Sequence, residues 1–123
     1  MLVIDDEDTA RFIVRGFLDD GRFLIDEAAS ANDGLETARL RRPDAILLDL
    51  NLGSTNGVTL RQALRADPLT AAIPVVVLTA QSPSEELLNV LGRDTPVLSK
   101  AGLTRERLTL AVESLCGVPA GRS

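Results

Sequence analysis

The 123-residue chain has no histidine, no tryptophan and no tyrosine, three phenylalanines, and a single cysteine, Cys116. The absence of histidine and of paired thiolates argues against a zinc-type site. One cysteine cannot form an intrachain disulfide, which fits a reducing compartment. The few aromatics leave no platform for stacking bases, so aliphatic side chains must build the core. The net charge of −5, without a stripe of Lys and Arg, argues against direct contact with nucleic acid or an anionic membrane surface. No apolar run approaches the roughly 20 residues of a membrane span. Acidic residues arrive by position 5, which is wrong for a secretory signal. These absences predict a soluble, cytoplasmic protein.

The chain is long enough to bury a core as one domain without staples. It contains four short apolar runs, each ending on a polar residue suited to handling phosphate. Leu2-Val3-Ile4 meets Asp5 and Asp6, Ala45-Ile46-Leu47-Leu48 meets Asp49, Val75-Val76-Val77-Leu78 meets Thr79, and Val97-Leu98-Ser99 meets Lys100. Runs of this kind read as buried parallel strands. Open parallel sheets bind ligands beyond the carboxyl ends of their strands. Three carboxylates, a hydroxyl and an ammonium are therefore expected at one sheet edge.

Helical patterns separate the strands. Strands are predicted at 1–4, 23–28, 44–49, 74–79 and 96–99. Ala10, Ile13, Val14, Phe17 and Leu18 form one apolar stripe closed by Asp19-Asp20-Gly21. Ser30, Asn32 and Asp33 offer caps for a helix reaching about Arg41, which Pro43 stops. A polar loop from Asn51 to Gly57 precedes a helix with Leu60, Ala63 and Leu64 on one face, ended by Asp67-Pro68. Ser82-Pro83-Ser84-Glu85 predicts a helix with Ser82 as N-cap, carrying Leu87, Leu88 and Leu91. Leu108, Ala111, Val112 and Leu115 mark the last helix, and the tail from Gly117 is expected to fray. Five β-α units in alternation predict a parallel sheet with helices on both faces and right-handed crossovers.

Taken alone, Asp5-Asp6-Glu7-Asp8 reads as acid favouring a helix N-terminus, Asp49 as a turn-former, Thr79 as a strand residue and Lys100 as a solvated lysine. As a set they read differently. Neighbouring carboxylates repel, and burial raises their pKa values; a divalent cation resolves both problems. Mg²⁺ takes one or two carboxylates and shares its remaining sites with water and phosphate oxygens. A carboxylate can also serve as a nucleophile, forming an aspartyl phosphate. Phosphoryl transfer needs mainly positioning and charge neutralisation, which Mg²⁺, Lys100 and Thr79 would supply.

From end to end the chain resembles the receiver domain of bacterial two-component response regulators. The matching pieces are Asp5-Asp6-Glu7, Asp49 within Leu-Leu-Asp-Leu, Gly57 eight residues beyond, Thr79-Ala80 and Lys100. The resemblance implies a flavodoxin-like (βα)5 three-layer sandwich with a five-stranded parallel sheet in the order 2-1-3-4-5. It implies that Asp49 accepts a phosphoryl group from a histidine kinase or phosphotransfer domain. Mg²⁺ would be held by Asp6 directly, by Asp5 largely through water, by Asp49, and by the backbone carbonyl of Asn51. Thr79 and Lys100 would contact phosphoryl oxygens, with Ala80 leaving room for the incoming group. The receiver would span residues 1–117, with 118–123 as a flexible tail. It would act as a switch that catalyses its own phosphorylation and dephosphorylation rather than as an enzyme with an external substrate.

Three positions depart from the family pattern. Gly53 stands where Pro is common, so its loop is expected to be more mobile. Ala101 follows the lysine where a cis Pro is usual, which predicts a trans bond or a reshaped loop, because a cis bond without Pro costs about 2.5–4 kcal/mol. Val97 occupies the position of the aromatic that swings with the Thr in many members, so output is expected through the loops and helix 84–91. Asn51 and Gln81 flank the expected pocket and could govern water access, and hence phosphoryl lifetime.

Two other classes compete. An inactive receiver would serve only as a docking module. An aspartate-nucleophile phosphohydrolase would ordinarily carry a general-acid Asp two residues after the nucleophile, where this chain has Asn51. Flavin binding is disfavoured because Asp5-Asp6-Glu7-Asp8 would repel a phosphate. The abrupt start suggests a domain cut from a longer regulator or hybrid kinase, with an output domain or kinase core elsewhere in the full-length chain. Homodimerisation stays open.

Overall fold

The computed structural model describes residues 1–18, 24–52, 55–80, 84–92 and 95–116, with backbone alone at 55 and 114–116. In chain order the described elements are β1 (Leu2–Ile4), α1 (Asp8–Leu18), β2 (Asp26–Ala28), α2 (Ala31–Arg41), β3 (Ile46–Asp49), β4 (Asn51–Leu52), β5 (Thr55–Asn56), α3 (Gly57–Ala66), β6 (Val75–Thr79), α4 (Glu85–Leu91), β7 (Val97–Ser99) and α5 (Arg105–Cys116). Five strands form one parallel sheet in the order β2-β1-β3-β6-β7, while β4 and β5 pair only with each other. Counting only the strands of the large sheet, the order is 2-1-3-4-5. This is the flavodoxin-like (βα)5 sandwich that the resemblance implies.

The two-residue period of the strands sorts their side chains into two layers. Leu2, Ile4, Ile46, Leu48, Val75 and Val77 pack with Ala38 of α2, Leu60 and Leu64 of α3 and Leu91 of α4. Val3, Leu47, Val76 and Leu78 pack with Val14 and Leu18 of α1 and Leu108 and Val112 of α5. The central strands are apolar at consecutive positions because both of their faces are covered.

The structure corrects several sequence expectations. β2 begins at Asp26, not at position 23, and Leu24 is 90% exposed. As an edge strand it pairs only with the three residues of β1, starting at Leu2↔Asp26, so its ladder ends where β1 ends. In α1 only Val14 and Leu18 are fully buried; Ile13, placed on the expected stripe, is exposed. The N-cap of α4 is Ser84 rather than Ser82: its side chain accepts from the Leu87 amide at 3.1 Å. Glu85 and Glu86 then occupy the first turn, where the helix dipole favours acids. After β3, β4 and β5 pair as a short antiparallel ladder, and Asn56 caps α3 through the Val58 amide at 2.8 Å. The expected features at Asp19-Asp20-Gly21, Phe23, Gly53, Gln81, Ser82-Pro83, the Leu115 side chain and the tail from Gly117 lie outside the described residues.

Other boundaries follow the reading. Ser30 caps α2 by accepting from the Asp33 amide, and Arg42 closes it in the left-handed region at φ 44° ahead of Pro43. α3 ends at Asp67, extended at φ −93° and ψ 120°, as a residue before proline prefers. Asp67 accepts from the Leu69 amide and pairs with Arg39 of α2, and these contacts hold its carboxyl below the usual aspartate range.

At Gly57 the start of α3 lies against the end of β3. Its amide donates to the Leu50 carbonyl at 2.8 Å. A Cβ there would lie 2.5 Å from the Asp49 carbonyl oxygen and 2.6 Å from the Leu50 Cα. Both neighbours are backbone, so neither can step aside without moving the end of β3. Gly57→Ala is expected to lower stability by about 1–3 kcal/mol in urea denaturation, the usual cost of overpacking. An unchanged midpoint would contradict this packing.

Candidate functional site

Each functional side chain sits where a strand leaves the sheet. Asp5 follows β1, Asp49 ends β3, Thr79 ends β6 and Lys100 follows β7. Strand periodicity puts Asp5 in step with Val3, Asp49 with Leu47 and Lys100 with Leu98, all on the side covered by α1 and α5. Thr79 falls in step with Val77, on the opposite side. The Lys100 amide donates to the Thr79 carbonyl at 2.7 Å, joining the ends of β6 and β7 through their backbones.

The geometry centres on one ammonium. Lys100 Nζ lies 2.8 Å from Asp5 Oδ2 and 3.2 Å from Asp49 Oδ2. Asp5 Oδ1 accepts from the Glu7 amide at 3.0 Å, and Asp49 Oδ1 from the Asn51 amide at 3.2 Å. Asp5 and Asp49 are 2% and 3% exposed, whereas Asp6 is exposed. Carboxylate oxygens of Asp5, Asp6 and Asp49 lie within 4.8 Å of one another.

Burial pushes the Asp49 carboxyl above the usual aspartate range, and the charge of Asp5 adds to the push. The Asn51 amide and the Lys100 ammonium oppose the rise without cancelling it. For Lys100, burial works against the charged form. Its hydrogen bond and attraction to Asp5, reinforced by Asp49, outweigh that cost and leave the ammonium above the usual lysine range.

Three carboxylates against one ammonium leave two negative charges, the complement of a divalent cation. The donors are all hard oxygens, as Mg²⁺ prefers. Asp5, Asp6, Asp49, Thr79 and Lys100 therefore share one sheet edge, as the sequence predicts. Lys100 is not the solvated lysine of its isolated reading. Ala80 is exposed next to Thr79, and Asn51 stands two residues from Asp49. The Lys100–Ala101 peptide is trans, and the turn is completed by Gly102 at φ 75°.

Two features escaped the sequence reading. Arg11 of α1 donates to the Asp5 carbonyl at 2.6 Å. Its spacing from the acid pair, one helical turn into α1, was the available signal. Away from the site, Arg61 is buried, and the Nη2 atoms of Arg61 and Arg65 both lie 3.3 Å from Thr95 Oγ1, which donates to the Leu91 carbonyl at 2.9 Å. No local pattern in the sequence distinguishes these arginines from surface residues.

The family model for the response regulator receiver domain matches residues 1–112. The chain belongs to that family. Protein PilH of Pseudomonas aeruginosa is 30% identical over 81 residues, which are 66% of this chain and 67% of PilH. The KDP operon transcriptional regulatory protein KdpE of Escherichia coli is 33% identical over 91 residues, 74% of this chain but only 39% of KdpE. The receiver domain of NtrX from Brucella abortus superposes with a TM-score of 0.83 at 25% identity, covering 96% of this chain and 98% of that one. Chemotaxis protein CheY4 of Vibrio cholerae gives a TM-score of 0.82 at 25% identity, covering 93% and 95% of the two chains. Among the described residues, no helix is long and apolar enough to cross a membrane.

The raised Asp49 pKa has a consequence for stability. The folded chain binds this proton more tightly than the unfolded chain, so ionised Asp49 lowers stability above its folded pKa. That cost fades as pH falls towards the unfolded value near 3.8. Without divalent ions, Asp49→Asn is expected to raise the urea midpoint at neutral pH, with a gain that shrinks as the solution is acidified. A gain independent of pH, or a loss at neutral pH, would contradict the assignment.

Proposed function

We propose that this chain is a phosphorelay receiver in which Asp49 accepts a phosphoryl group from a phosphohistidine of a histidine kinase or phosphotransfer domain. The observation that carries this reading is the Lys100 ammonium 2.8 Å from Asp5 and 3.2 Å from Asp49, in a pocket holding a third carboxylate. In the transfer, an Asp49 carboxylate oxygen forms a P–O bond as the P–N bond of the donor breaks. The bonding pair stays on the imidazole nitrogen, which takes up a proton. Little covalent help is required of the protein, so positioning and charge decide the rate.

The residues divide that work. The Asn51 amide orients Asp49 through Oδ1. Lys100, already beside Oδ2, is placed to neutralise the phosphoryl oxygens, and the Thr79 hydroxyl is assigned to a further one. Ala80, small and exposed, leaves the approach open. The carboxylates of Asp5, Asp6 and Asp49 and the Asn51 carbonyl would hold Mg²⁺, which supplies positive charge to the transferred group.

Once formed, the aspartyl phosphate brings close to two negative charges into the pocket and redirects Lys100. That charge change is the signal, read by protein partners in the cytoplasm, so the domain works as a switch. The chain spans about two fifths of KdpE, and an output domain or kinase core in a longer chain belongs to this proposal.

Incubation with a small phosphodonor and Mg²⁺ is expected to add a phosphoryl-sized mass to the wild-type chain, and none to Asp49→Asn or after chelation. A wild-type chain that stays unmodified would point instead to a docking module, and sustained turnover of a phosphomonoester to a phosphohydrolase.

A further inference from the structure

One guanidinium ties the acid-bearing loop to two other elements. Arg11 donates from Nη1 to the Asp5 carbonyl at 2.6 Å and from Nε to Glu27 Oε1 of β2 at 3.1 Å, and it pairs through Nη2 with Asp8. Glu27 is itself shared with Arg15, whose Nη1 lies 2.5 Å from Oε2. The Arg11 side chain is only 12% exposed. Its three nitrogens thus meet three different partners, an arrangement that suits a rigid planar fork and not a single ammonium.

The three carboxylates of the site are aimed in different ways. Asp5 is held by the Glu7 amide and Lys100, and Asp49 by the Asn51 amide and Lys100. Asp6 is exposed, so its direction depends on the backbone that delivers it. The peptide joining Asp5 to Asp6 is planar, so fixing its carbonyl also fixes the plane from which the Asp6 side chain departs. Arg11 holds that carbonyl.

We propose that Arg11 is a positioning residue for divalent-ion binding, aiming the Asp6 carboxylate by clamping the Asp5–Asp6 peptide. The inference rests on the receiver reading of the site. Residues that orient metal ligands typically change affinity 10–100-fold when removed.

The test is a Mg²⁺ titration followed by amide NMR on wild type, Arg11→Gln, Arg11→Lys, Asp6→Asn and the Arg11→Gln/Asp6→Asn double variant, each checked for folding by circular dichroism. Arg11→Gln and Arg11→Lys are each expected to weaken Mg²⁺ about ten-fold. The double variant should bind no more weakly than Asp6→Asn alone, because Arg11 acts through Asp6. Should Arg11→Gln fail to fold, Arg11→Lys decides, paired with Asp6→Asn in the same cycle. Wild-type affinity in the Arg11 variants, or losses that simply add in the double variant, would overturn the positioning role. Wild-type affinity in Asp6→Asn would instead overturn the ion site on which the role depends.

Discussion

The structure turns on a lysine ammonium held between two buried carboxylates. Removing the ammonium from such a site typically costs about 3–5 kcal/mol, because the buried carboxylates are then left without compensation. Lys100 compensates Asp5 and Asp49 together, and their charges outweigh the effect of burial on its own ammonium. The compensation is incomplete. Asp49 remains pushed towards its neutral form, and the pocket retains two negative charges with Asp6 included. A site in this condition is poised for an added cation and is sensitive to any new charge on Asp49.

The rest of the fold serves that meeting. Parallel strands deliver their carboxyl ends to one edge, and strand periodicity turns Asp5, Asp49 and Lys100 to the same side. Gly57 brings α3 against the backbone of Asp49 and Leu50 at a distance no side chain would allow. The Lys100 amide bonded to the Thr79 carbonyl joins the two remaining contributors. With a trans Lys100–Ala101 peptide, the turn after β7 is accommodated by Gly102 in the left-handed region. The pocket is thus assembled without the proline that usually follows the lysine in this family.

Much of this was legible in the residues. Val75-Val76-Val77-Leu78 and Ala45-Ile46-Leu47-Leu48 are apolar at every position because helices cover both faces of their strands, and that made the strand ends, and so the site, readable. Edge and loop features were harder. Leu24 and Ile25 resemble strand residues, yet an edge strand extends only as far as its one neighbour, and β1 is three residues long. Ser82 offered a cap in the sequence, but the structure begins the helix two residues later, with Ser84 accepting from the Leu87 amide. Arg61 was invisible because its partner Thr95 lies 34 residues away, between α4 and β7. Arg11 went unread although its place one turn into α1 was a local signal, because its bond to Glu27 reaches β2.

The central claim is that the carboxylates of Asp5, Asp6 and Asp49 and the Lys100 ammonium form a single electrostatic unit. Carboxyl-detected ¹³C NMR of the wild-type chain, titrated with Mg²⁺, tests it most directly. The account predicts that the three aspartate resonances shift along one binding curve while the Lys100 side-chain signal moves in step. Independent curves, or an Asp49 resonance indifferent to ion added at Asp5 and Asp6, would contradict it.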